Sequence, residues 1–222
     1  MVNLPLISVK ARQKIEATVR REFKHAGSFM VQPDGKVDVK GVMRLNKQSK
    51  TGKLPVQFGQ IQGDLNIQDM KLTSLMHSGD KITGSLFANN NLFTDLTGAP
   101  AEVGNLILIG NRTLTNLMGC PQQIRKLQLW HTGLHSLVGL PDTPGTVQEI
   151  DITYVEHLPM LRLLVADKIT VRKPGAGYSY LKEEKEIQEI LNDARWVGKG
   201  KLGALNCALA LKTAGYVGNA AW

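Results

Sequence analysis

One recurrence constrains this chain more than any other feature. Four segments align: IQGDLNIQDMKLTSL from Ile61, ITGSLFANNNLFTDLTGAP from Ile82, VGNLILIGNRTLTNLMGCP from Val103 and IRKLQLWHTGLHSLVGLP from Ile124. Their leading apolar residues stand 21 residues apart each time. Leu75, Leu96, Leu117 and Leu137 recur at 21, 21 and 20, and Gly-x-Pro recurs at Gly98–Pro100, Gly119–Pro121 and Gly139–Pro141. Three independent signals in one phase define a repeat. A degenerate fifth unit follows, with Val147, Ile150, Ile152 and Leu158, and KVDVKGVMRL precedes as a zeroth unit.

A period of 20–21 residues lies at the short end of the leucine-rich range. The pairs Leu65–Ile67, Leu106–Leu108, Leu127–Leu129 and Ile150–Ile152 read as short strands, two residues inward and the one between outward. A second leucine pair, such as Leu114 and Leu117, folds back over the core, and Gly-x-Pro turns the chain. The return segments are too short for a full helix, which predicts 3₁₀ or extended turns. Asn90 or Asn91, and Asn111, suit a partial asparagine ladder bonding the bent backbone, interrupted at Met70 and Thr132. One unit cannot bury its apolar stripe alone, so neighbours stack. The expected fold is an α+β repeat solenoid of about five leucine-rich-like repeats, with helical caps at both ends.

Charge divides the chain into three. Residues 1–57 carry twelve Lys/Arg against four Asp/Glu, residues 58–165 six against nine, and residues 166–222 nine against six. We therefore expect a basic N-terminal helix and cap over 1–57, the solenoid over 58–165 and a C-terminal helical segment over 166–222. In the first part Ser8–Ala26 reads as a helix, capped by Ser8, ended by Gly27 and striped by Ile15, Val19 and Phe23. In the last, Tyr180–Ala194 and Leu202–Ala214 read as helices, the second closed by Gly215, and together as a helical hairpin over the far end. Between them, GKGKLG lacks the strand and the Ser/Thr that a phosphate loop needs. Two isolated cysteines, Cys120 and Cys207, an opening MVNLPLISVKARQK without a signal-peptide core, and no apolar run near 18 residues predict buried thiols in a cytosolic protein.

The form of these repeats, roughly VGGDLxxxxNxLTSLxGxP, is best matched by Ile61–Leu75 and Val103–Pro121. It resembles leucine-rich-like repeats in uncharacterised proteins of tailed bacteriophages, as does the ending WVGKGKLGALNCALALKTAGYVGNAAW. The resemblance spans residues 31–160 and 187–222. It implies architecture and a phage origin, hence a host-cell cytoplasm or a virion, and it implies no fixed activity.

No constellation of chemistry stands out. His131 and His135 straddle a strand end and a turn, Ser74 and Ser136 belong to the repeat pattern, and Asp64, Asp69, Asp95 and Asp151 are scattered. The expectation is a non-enzymatic module with no cofactor and no metal. The outward strand positions Asn66, Gln68, Phe87, Asn89, Ile107, Ile109, Gln128, Trp130, Asp151 and Thr153 should form one exposed ribbon, with Phe87, Asn89, Ile107, Ile109, Gln128 and Trp130 binding a host or phage protein. A second reading is a virion or assembly component, or the related homo-oligomer, with neighbours holding both chain ends. A third is sequence-independent nucleic-acid binding by Arg12, Lys14, Arg20, Arg21 and Lys24 of the first helix with Lys47, Lys50 and Lys53 of NKQSKTGK.

Overall fold

A computed structural model describes residues 6–172, 174 and 182–222. Eight strands form one sheet in sequence order: β1 (Phe23–Val31), β2 (Val37–Leu45), β3 (Phe58–Asn66), β4 (Lys81–Phe87), β5 (Glu102–Ile107), β6 (Gln123–Leu129), β7 (Val147–Thr153) and β8 (Ala166–Arg172). β1 and β2 are an antiparallel hairpin, and every later pairing is parallel, so the chain coils into a parallel-sheet solenoid. The step of 21 is the rung-to-rung register: Ile61 pairs with Ile82, Ile82 with Val103 and Val103 with Ile124.

The alternation built the core as expected. Leu65, Ile67, Leu106, Leu108, Leu127, Leu129, Ile150 and Ile152 are buried, and Leu75, Leu96, Leu117 and Leu137 stack inside the return segments. Each such leucine contributes about 1.5–3 kcal/mol by leaving water. Just before those leucines, Ser74, Asp95, Asn116 and Ser136 each accept the N–H two residues ahead, at 3.0, 2.8, 2.9 and 3.2 Å. The repeat thus carries its turn in a side chain. Between β3 and β7 the return segments contain turns and bends without helix, and a 3₁₀ helix, Met160–Val165, follows β7.

The asparagine ladder runs through Asn91 and Asn111, both buried, while Asn90 is exposed and bonds Asp69. Asn111 accepts the Asn91 N–H and donates to Ala88 and Leu108; Asn91 accepts the Met70 and Leu72 N–H groups and donates to Ile67. At the next position Thr132 supplies one of these bonds, to Leu129 O.

Three features differ from expectation. The first helix, α1 (Val9–Glu22), has its Ser8 cap, accepting from Ala11 N–H, but stops before Phe23. Phe23–Val31 instead pairs with β2 across a Pro33-Asp34-Gly35 turn, and Gly27 lies mid-strand opposite Gly41. Long-range pairing overrides local helix preference here. The sheet also runs past residue 165, because Ala166–Arg172 adds an eighth strand. Lastly, α2 spans Lys182–Leu191 and ends short of Ala194; Tyr180 and Leu181, also read as helical, lie outside the described residues. α3 (Ala204–Thr213) is followed by Gly215 at φ 93°.

A column of glycines crosses the first rungs. Gly27, Gly41 and Gly63 are in register at φ 117°, 111° and 143°, and Gly84 and Gly104 continue the stack. A Cβ at Gly63 would stand 2.7 Å from the Gly41 carbonyl carbon and closer still to its oxygen, so the backbones pack with no room for a side chain. At the far edge, α2 and Asn192, which continues its last turn, pair with β8 through side chains. The Ile169 and Val171 N–H groups donate to Asn192 Oδ1 (2.8 Å) and Gln188 Oε1 (2.9 Å), and Asn192 Nδ2 donates to Ile169 O (2.6 Å). Four residues of helix rise about 6.0 Å and two of strand about 6.6 Å, so the two ladders match. Trp222 packs half-buried against the core, and Met1 lies outside the described residues.

Candidate interaction surface

The parallel register sets the outward side chains in two rows. Arg44, Asn66, Phe87, Ile107, Gln128, Asp151 and Thr170 face one another across successive rungs. Beside them run Asn89, Ile109, Trp130 and Thr153, joined rung to rung by Asn90 N–H to Ile109 O and Gly110 N–H to Trp130 O. The structure therefore brings Phe87, Asn89, Ile107, Ile109, Gln128 and Trp130 together on adjacent rungs, all half-buried. Asn89 Oδ1 accepts the Ile109 N–H at 3.0 Å, so its side chain is part of the scaffold as well as the surface.

The end of the ribbon differs from the expected exposed strip. Asp151 and Thr153 are buried, at 3% and 9% exposure. Arg172 grips the Asp151 carboxylate through Nε (2.8 Å) and Nη2 (3.0 Å), and the Trp130 indole N–H donates to the same carboxylate. The Arg172 guanidinium also lies 4.0 Å from the Trp130 ring centroid. Thr153 Oγ1 accepts the His131 N–H. The cause is β8, whose Arg172 is in register with Thr153. Trp130 is thereby held in place, and a side chain ordered in advance loses less entropy on binding. Arg172 was missed by the repeat reading because ADKITVR carries neither the leucine pair nor Gly-x-Pro.

The eight basic residues do not form one patch. Arg12 pairs with Glu16 (3.5 Å) and donates to Val31 O (2.7 Å), at the end of α1 shared with Lys14. Arg20, Arg21 and Lys24 lie at the other end, where Arg20 stacks 5.2 Å from the Phe29 ring centroid and Arg21 pairs with Glu22 (2.6 Å). There a cavity of 380 Å³ is lined by Glu22, Lys47, Ser49, Lys50, Thr51 and Lys53. The bond from Arg21, then the charges of Lys47 and Lys50, hold the Glu22 carboxyl below the usual carboxylate range. Arg44, which the sequence reading passed over, stands directly opposite Lys24.

Several other chemistry-bearing residues make bonds within the scaffold. Asp64 accepts the Ser85 N–H (2.7 Å), Asp69 bonds Asn90, and Ser74 donates to Thr97 O. Burial pushes both thiols, Cys120 and Cys207, up to about 12, with Asp193 adding to the shift at Cys207. Among the described residues no three His, Cys, Asp or Glu side chains gather to hold a metal, and no helix is long and apolar enough to cross a membrane. No family model, curated protein or solved structure matches the chain.

Proposed function

We propose that this chain is a non-enzymatic recognition module that binds a protein partner through the outward face of its sheet. The observation carrying this reading is the in-register set Phe87, Ile107, Ile109 and Trp130, apolar residues on the solvent side of three successive rungs. Large apolar side chains clustered on an outer face mark interfaces, and an anchored tryptophan is a frequent energetic centre of one. In this reading the rungs are leucine-rich-like, α1 and α2 are the caps a solenoid needs, and the partner is a host or phage protein. Affinity capture from infected and uninfected host lysate tests it, comparing wild type with the folded Trp130→Ala/Ile109→Ala variant. The variant should lose partners that wild type retains; identical capture refutes the surface.

A second reading rests on the lysine-lined cavity beside Arg20, Arg21 and Lys24, which suits a phosphate backbone. Six to eight phosphate contacts would give a log–log salt slope on the order of −5 to −7 on duplex DNA. No binding of labelled DNA or RNA at low salt would eliminate it.

A further inference from the structure

We propose that the free edge of β1 is a separate docking site, for an extended acidic polypeptide segment that adds to the sheet as a ninth strand. The hairpin's bonding pattern identifies the open groups. Gln32 N–H donates to Lys36 O (2.7 Å) and Asn46 N–H to Glu22 O (2.9 Å). In an antiparallel pair such bonded positions alternate, so the even-numbered residues of β1 bond β2 and the odd-numbered ones point away. Two of the odd positions are used. Phe23 N–H donates to Val19 O in α1, and Val31 O accepts the Arg12 guanidinium. His25, Gly27 and Phe29 remain, and their N–H and C=O groups have no protein partner among the described residues.

The two ends of the sheet are treated differently. At β8, Gln188 of α2 and Asn192 just after it occupy the edge. At β1 the bonds from α1 reach only the two ends, Phe23 and Val31, and residues Lys24–Ser28 between them are exposed, as is Met30 at 59%. The usual protections of an edge strand are proline, several charges or a covering element. β1 contains no proline and a single Lys. An edge of this kind is the template for strand addition.

Charge selects the occupant. Lys24 faces Arg44 directly across the hairpin, a like-charged pair that destabilises the bare sheet. Among the described residues no carboxylate lies within ion-pair distance of either, and Glu22 is already taken by Arg21. Lys47 and Lys50, whose charges act on Glu22 two residues before Lys24, add to the same end. A second copy paired antiparallel would set the Lys24 end of each β1 beside the Phe29–Val31 end of the other, and β1 carries no carboxylate to offer it. A nucleic acid would supply anions but no backbone ladder for His25, Gly27 and Phe29. An extended peptide with carboxylates near Lys24 and Arg44 satisfies both sets of groups.

The probe is a labelled octapeptide of alternating valine and threonine with two glutamates at its carboxy-terminal end, which antiparallel addition sets beside Lys24 and Arg44. Anisotropy should show saturable binding, and residue-resolved amide exchange of the wild-type protein should slow at His25, Gly27 and Phe29. His25→Pro removes one outward N–H while leaving the ladder to β2 intact, as proline permits at an edge. It should weaken binding about tenfold, the equivalent of about 1.4 kcal/mol, and lysines in place of the peptide's glutamates should do at least as much. Unchanged exchange at those three amides overturns the proposal, and that measurement does not depend on the variant folding. Equal binding of a DNA oligonucleotide that His25→Pro leaves untouched would reassign the site to polyanions, and a dimer abolished by His25→Pro would reassign it to a second copy. Either result rejects the stated occupant.

Discussion

Gly63→Ala tests how the rungs are held together. Gly63 sits at φ 143°, and a Cβ there would stand 2.7 Å from Gly41 C and 3.1 Å from Gly41 Cα. Both are backbone atoms in a strand locked on its other side to β1, so no rotamer change relieves the contact. The backbone conformation costs about 1–3 kcal/mol for a residue with a Cβ. Moving β3 away from β2 weakens neighbouring ladder bonds at about 1 kcal/mol each. Together these predict a loss of about 3–5 kcal/mol. Gly215→Ala is the control: its φ of 93° is equally left-handed, but nothing lies within 4 Å of the added carbon. That change should cost about 1–2 kcal/mol, from the backbone alone. Urea denaturation followed by circular dichroism measures both, and the Gly63 variant's midpoint should fall about 1–2 M below wild type. If the two variants lose the same stability, close backbone stacking is not what requires glycine in this column.

The ladder asparagines should separate cleanly. Asn111→Ala strands the buried Asn91 N–H and takes one of two donors from each of the Ala88 and Leu108 carbonyls, which keep Asn91 Nδ2 and the residue 111 N–H, for a loss of about 2–5 kcal/mol. Asn90→Ala, at an exposed site, should cost about 1 kcal/mol, mostly from its left-handed φ of 51°, and thermal melting of the two variants checks the contrast. The thiols offer a pH test. Both pKa values are raised to about 12, so the reactive thiolate is scarce at pH 8 in the folded protein and common only after unfolding. Thiol titration at pH 8 should find neither cysteine until urea is added; rapid labelling of the native protein would refute their burial.

Much of the rung was legible in the residues themselves. The alternation at Leu106–Leu108 or Leu127–Leu129 states which side chains must leave water, and the step from Ile82 to Val103 to Ile124 states the register. Gly-x-Pro and Asn111 mark where the backbone bends and what bonds it. These are local requirements, written in single residues and their spacing. The ends of the sheet were not legible, because a strand is defined by what it pairs with. Residues Phe23–Ala26 have enough local preference to be read as helix until β2 is there to bond them, and Gly27 looks like a helix stop until it lies against Gly41. ADKITVR has no repeat signal and becomes a rung through β7. Asp151 illustrates the same dependence at the candidate surface: by position it faces solvent, and only Arg172, 21 residues on, encloses it beside Trp130. Sequence spacing determined which residues must be inside; long-range backbone pairing decided which neighbours they meet, and so which outward positions remain open to a partner.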